Sequence, residues 1–174
     1  MSQYLLAFDS FKDALPAAEA CLLAAEAISE SRPEAQVYQA PLTDGGEGFL
    51  EIMVGQLGGG IESVEVTGPR YQRVPADLGW IEIESLTPEQ RQLLGFENPT
   101  GRLAVIEMAR ASGLESLQPE ERDPWETTTY GTGELIQKAA AAGADLILLG
   151  VGGSATNDCG MGALEALGVI AYER

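Results

Sequence analysis

The chain has 174 residues, 45% of them hydrophobic and 21% charged, a balance that fits a globular protein of one domain or two small ones and excludes disordered and fibrous classes. Ten Lys and Arg against 27 Asp and Glu give a formal net charge of -17, which repels nucleic-acid phosphates and anionic membrane surfaces and argues against both as partners. His is absent, which removes His-based triads, His general bases and His-ligated zinc and leaves carboxylates, hydroxyls and Lys12 for any chemistry. Cys21 and Cys159 lack paired spacing and read as reduced thiols. The first apolar run, YLLAF, is followed at once by Asp9, which does not fit a signal peptide, and no apolar stretch approaches the length of a membrane span, so the expected compartment is the cytoplasm.

In chain order, Tyr4 to Phe8 reads as a buried strand and Pro16 to about Ser29 as a helix, with Pro tolerated at the first position and Glu19 suiting the first turn. Gln36 to Leu42 is the second predicted strand. TDGGEG leads from it into FLEIMVGQL, a helix ended by Gly58-Gly59-Gly60. From Ile61 the pattern alternates apolar and polar residues through IESVEVTG, PADLGWIEIES and RLAVIEMA, which predicts strands with one wet face. TPEQRQLLGFENPTG and ESLQPEERDPWE read as polar connections. TTTYGTGELIQKAAAAGA then predicts a helix with its lead-in, with Glu134 in the first turn and Leu135, Ile136, Ala139 and Ala140 facing the core. DLILLGV predicts a fully buried strand, and MGALEALGVIAYER a helix and one more short strand. The expected fold is α/β: a Rossmann-like parallel-sheet domain from residues 1–66 and 125–168, carrying an inserted, more antiparallel α+β subdomain from residues 67–124 and also 169–174.

Three loops, DSFK at 9–12, TDGGEG at 43–48 and GGSATND at 152–158, each follow a predicted strand and precede a helix, the place where open parallel sheets bind ligands. In TDGGEG, Asp44 and Glu47 fit a capping box, but Gly45 and Gly46 in a first helical turn suit close approach of a ligand, and the two carboxylates could orient a hydroxyl or bind Mg²⁺. In DSFK, Lys12 near Asp9 and Ser10 suits a phosphate or carboxylate, or is a solvated lysine in a turn. GGSATND matches neither common nucleotide fingerprint, yet Gly152 and Gly153 expose backbone N–H groups, Ser154 and Thr156 add hydroxyls, and Asn157 or Asp158 can cap the next helix. The hydroxyls of TTTYGTGEL, Thr132 among them, suit a ligand loop or an ordinary helix start.

Taken in order, FDSFK, PLTDGGEG, VTGP, VIEMARASGL, TTTYGTGELI and GVGGSATND resemble the motifs of the type 1 glycerate kinases over nearly the whole chain. The resemblance implies a two-domain α/β enzyme that transfers the γ-phosphate of ATP, with Mg²⁺, to a hydroxyl of D-glycerate to give a phosphoglycerate. It implies that Asp9, Ser10, Lys12, Asp44, Gly45, Gly46, Glu47, Thr132, Gly152, Gly153, Ser154, Thr156, Asn157 and Asp158 line the nucleotide and glycerate cleft. Lys12, Asp44 and Glu47 would carry the chemistry, with Asp44 the choice for Mg²⁺. The sequence corresponds to about the first half of a family member, so a homodimer or a separate C-terminal half is an expected partner, and a noncatalytic ligand-binding subunit is the alternative function. Asp13-Ala14, Pro16 and Cys159 depart from the family pattern.

Overall fold

The computed structural model describes residues 2–12 and 14–170. Two compact units are present, Met1–Asp44 and Gly45–Arg174. The first contains β1 (Gln3–Leu6), α1 (Ala17–Ser31) and β2 (Gln36–Gln39), with the strands paired in parallel from Gln3 opposite Gln36 to Leu6 opposite Gln39. Pro16 takes the position just before α1 with an extended backbone, and Ala17, Ala20, Cys21 and Ala25 form the buried stripe at helical spacing. Cys21 and Ala25 pack on Leu6, with Phe8 and Val37 beside them. The helix covers only one face of the pair. On the other face Leu5 is 69% and Tyr38 53% exposed, so the first strand is not the buried one expected from its apolar run.

The second unit contains α2 (Phe49–Leu57), β3 (Gly60–Thr67), β4 (Arg73–Glu82), α3 (Pro88–Leu93), β5 (Arg102–Glu107), α4 (Ala109–Ser112), α5 (Tyr130–Ala141), β6 (Leu146–Gly150) and α6 (Met161–Ala166). The sheet order is β3-β4-β5-β6, antiparallel for the first two pairings and parallel between β5 and β6. Alternation along β5 sends Leu103 and Val105 to the face covered by Leu50 and Val54 of α2, and Ala104 and Ile106 to the face covered by Leu135 and Ala139 of α5. A side chain on Gly79 would meet Val54 Cγ2 at 2.6 Å, so the glycine lets α2 lie close on the sheet.

The fold is α/β with one parallel and one mixed sheet. Its division differs from the expected one, because β6 pairs with β5 and both α2 and α5 lie on the mixed sheet. Residues 67–124 therefore do not stand apart as a subdomain. Leu146 to Leu149 are half-buried rather than fully buried, since β6 is the edge strand of this sheet. Thr87, Pro88 and Gln90 start α3 with a capping box inside a stretch expected to be irregular. Ile136 is half-buried and Ala140 exposed, so the core stripe of α5 is Leu135 and Ala139. Residues 167–170 form a turn, and the remainder of the short strand expected at the end falls outside the described residues.

α5 starts at Tyr130, which places Glu134 beyond its first turn. Its carboxylate accepts the Thr67 N–H and pairs with Arg73 at 3.1 Å. Burial pushes its pKa up, but the Thr67 hydrogen bonds and Arg73 outweigh this and hold it below the ordinary value of 4.5. A depressed carboxyl adds stability above its unfolded pKa and loses it as pH falls through the folded one. Glu134→Gln should therefore lower Tm near neutral pH, and the gap from wild type should close as thermal unfolding is followed below pH 4.5.

Candidate functional site

The start of α2 is not a capping box made by Asp44 and Glu47, the simpler of the two readings of that motif. Gly48 stands at the N-cap with φ +83°, no side chain caps the helix from that position, and Phe49 is its first residue. Gly45, with φ +92°, accepts the N–H of Gly152 at 2.9 Å. A Cβ on Gly152 would lie 2.5 Å from Gly46 Cα, and one on Gly150 would lie 2.6 Å from Gly45 O. The two glycine-rich segments are thus in backbone contact, close enough to require glycine at 150 and 152. The contact also takes the Gly152 N–H, so that group is not a free phosphate donor.

Beyond it, neighbouring segments strap the 153–158 loop down. Leu114 N–H donates to Gly153 O at 2.9 Å, Ala155 N–H to Ser112 O at 2.8 Å, and the Thr127 hydroxyl to Ala155 O at 2.9 Å. Ser154 Oγ lies 2.8 Å from Thr156 Oγ1 and accepts the Thr156 N–H at 3.0 Å. Asp158 accepts from the Thr129 N–H and hydroxyl, both at 2.9 Å, and from the N–H groups of Gly160 and Gly162, both at 3.1 Å. Its carboxylate therefore joins the starts of α5 and α6, the capping role foreseen as one of its two readings. A cavity of about 380 Å³ opens beside the loop. Ser154, Thr156 and Asn157 form its polar side and Met108, Ile136 and Leu149 its apolar side. Thr132 also lines it, with its hydroxyl 2.9 Å from Ser112 Oγ, and so does Cys159, an exposed free thiol with φ +53°.

Sequence reasoning missed Glu107. It ends β5, is 1% exposed, and accepts the Leu50 N–H in the first turn of α2 at 3.1 Å. Burial pushes its pKa above the ordinary carboxylate value, offset in part by the Leu50 N–H and by Arg110. Arg110 Nε stands 3.4 Å from Glu107 Oε1, and the same guanidinium pairs with Glu51 on α2. Glu47, Glu107 and Arg110 line a second cavity of about 170 Å³. The available signal was a carboxylate closing the apolar run LAVI.

In the first unit, Asp9 accepts the Ser10 N–H at 2.7 Å. Lys12 is exposed in a tight turn closed by reciprocal backbone bonds between Phe11 and Leu15, so this turn separates DSFK from α1. Asp44 closes the same unit. DSFK and TDGGEG follow strands of the two-stranded sheet, whereas GGSATND follows a strand of the mixed one, so they do not crown a single sheet. Among the described residues no group of three or more Cys, Asp or Glu side chains could hold a metal ion, and no helix is long and apolar enough to cross a membrane.

The family model described as the glycerate kinase family matches residues 4–174. The chain belongs to this family. It is 41% identical over 164 residues to glycerate 2-kinase of Escherichia coli K12, covering 94% of this chain and 39% of that protein. It is 42% identical over 164 residues to glycerate kinase of Bacillus subtilis 168, covering 94% and 38%. A crystal structure of a Salmonella typhimurium LT2 protein provisionally named glycerate kinase 2 superposes with a TM-score of 0.67 at 42% identity, covering 95% of this chain and 40% of that one. The chain spans about two fifths of the length of these relatives.

Proposed function

We propose that the chain is the part of a cytoplasmic glycerate kinase that carries its glycine-rich ligand loops, acting in transfer of the γ-phosphate of ATP to a hydroxyl of D-glycerate. The observation that supports this reading best is the backbone contact of Gly45 and Gly46 with Gly150 and Gly152, which brings two family motifs distant in sequence onto one surface. Phosphoryl transfer needs positioning and charge neutralisation more than covalent chemistry. Ser154, Thr156, Asn157 and Thr132 supply neutral hydrogen-bonding groups around the larger cavity. Gly153 shapes the loop, and Asp158 holds it from behind. Asp9, Ser10, Lys12 and Asp44 enter through their motifs: Lys12 to neutralise phosphate oxygens, Ser10 and Asp9 to shape the turn before it, and Asp44 to orient the glycerate hydroxyl.

Mg²⁺ keeps several waters and takes one or two protein carboxylates beside phosphate oxygens, so it does not need a three-residue protein cluster. Asp44, the carboxylate that the family motif implies for it, would be the protein ligand. Bound there, the ion would supply neutralisation of the transferring phosphate. With ATP, Mg²⁺ and D-glycerate, production of ADP and phosphoglycerate tests the reading. Asp44→Asn is expected to cut turnover by about a hundredfold, the scale on which a single aligned electrostatic group acts. Unchanged turnover would remove Asp44 from the mechanism.

A second reading is a ligand-binding subunit that turns over only with further polypeptide. The exposed Leu5 and Tyr38 favour it, because parallel sheets are ordinarily covered on both faces. Binding of ATP or glycerate without turnover, and a monomeric mass by light scattering, would support a separate partner chain; a dimeric mass would support a second copy.

A further inference from the structure

We infer that Glu107 is a positioning residue that fixes the 45–48 loop against the 150–153 segment. The meaning of these loops as ligand loops rests on the kinase reading; the geometry of Glu107 does not. Burying a carboxylate costs free energy that an apolar residue would not incur. The neighbouring residues of β5, Leu103 to Ile106, are all apolar and buried, so an apolar side chain fits the sheet at least as well.

The carboxylate answers a need of α2. Gly48 at the N-cap has no side chain to accept the first helical N–H groups. Glu107, from a strand 57 residues away in sequence, supplies the acceptor at Leu50. Arg110 reinforces the link, standing against Glu107 Oε1 at 3.4 Å and pairing with Glu51 one residue beyond Leu50. The next residue in the chain completes the arrangement: Met108 donates its N–H to Gly150 O at 2.9 Å. Two consecutive residues, Glu107 at the end of β5 and Met108 just after it, thus hold the start of α2, where the 45–48 loop ends, and the 150–153 segment, Glu107 through its side chain and Met108 through its backbone. Gly45 O and the Gly152 N–H then meet at 2.9 Å between two anchored segments. A plain helix cap would steady α2 alone, whereas this arrangement sets the loops in register.

Amide hydrogen exchange on this chain, with Mg·ATP titration in parallel, separates the two roles. Glu107→Ala is expected to speed exchange at Leu50 and at Gly152 by about tenfold or more, leave the β3–β4 amides protected, and weaken Mg·ATP by about tenfold. Glu107→Gln retains an acceptor oxygen and should restore both amides and the affinity to within about threefold of wild type. Unchanged exchange at Gly152, or an equal loss across the β3–β4 ladder, would overturn the proposal. If Glu107→Ala does not fold, Glu107→Gln and Glu107→Asp decide it. The aspartate keeps the charge but is one methylene too short for Leu50, so Gln should resemble wild type and Asp should loosen Gly152; the opposite order would overturn the proposal. If wild type binds no Mg·ATP, the kinase reading fails for this chain, and exchange at Gly152 still tests the positioning role.

Discussion

Gly152→Val is expected to part the two glycine-rich segments and abolish ligand binding. A Cβ at this position meets Gly46 Cα at 2.5 Å and Gly46 N at 2.6 Å, and these are backbone atoms that cannot rotate aside. Overpacking of this kind costs about 1–3 kcal/mol. Separation of the loops also breaks the Gly152–Gly45 hydrogen bond, worth about 1 kcal/mol more. Calorimetric titration with Mg·ATP and D-glycerate should show no binding to a variant whose circular dichroism remains that of a folded protein. Affinity equal to wild type would contradict the role given to the contact.

Asp158→Ala is expected to produce the largest loss of stability. One carboxylate accepts from four donors on two helices, and alanine leaves the Thr129, Gly160 and Gly162 N–H groups without it. The site is only partly buried, so water recovers some of the loss, and a net cost of about 2–4 kcal/mol is consistent with a few unsatisfied donors. At about 2–4 °C per kcal/mol for a chain of this size, Tm should fall by roughly 10 °C. Asp158→Asn keeps one acceptor oxygen but turns an amide toward some of the same donors, so it should recover less than half of the loss. A fall in Tm of less than about 2 °C for the alanine variant would show that Asp158 is not the clasp, and would return it to the ligand-binding alternative.

What could be read from the sequence was governed by local signals. FLEIMVGQL became α2, stopped by Gly58 in the left-handed conformation, because an amphipathic run and a terminal glycine act within a few residues. The strict alternation of IESVEVTG became β3, and its pairing with β4 follows through a short turn. α3 had its own signals in Thr87, Pro88 and Gln90, but without an apolar stripe they passed as loop.

The misses have a common physical cause in non-local packing. LILLG reads as fully buried because its residues are all apolar, but exposure depends on which strand lies beyond it, and β6 is an edge. YLLAF fails in the same way, with Leu5 on a face that α1 does not cover. Asp44 and Glu47 matched a capping pattern, yet α2 is capped from Glu107, which no pattern within the helix could reveal. The glycines at 45–46 read as room for a ligand and those at 152–153 as exposed N–H donors, whereas the structure shows the two segments packed on each other. The partner that comes closest to them is the other loop's backbone, a contact between segments about a hundred residues apart that no local pattern could reveal.

The most direct test is phosphoglycerate formation from ATP, Mg²⁺ and D-glycerate by this chain combined with polypeptide equivalent to the part of its relatives that it does not span. Product is expected that requires this chain and disappears with Gly152→Val. An assembled pair that forms no phosphoglycerate and binds neither ATP nor glycerate would contradict the kinase reading.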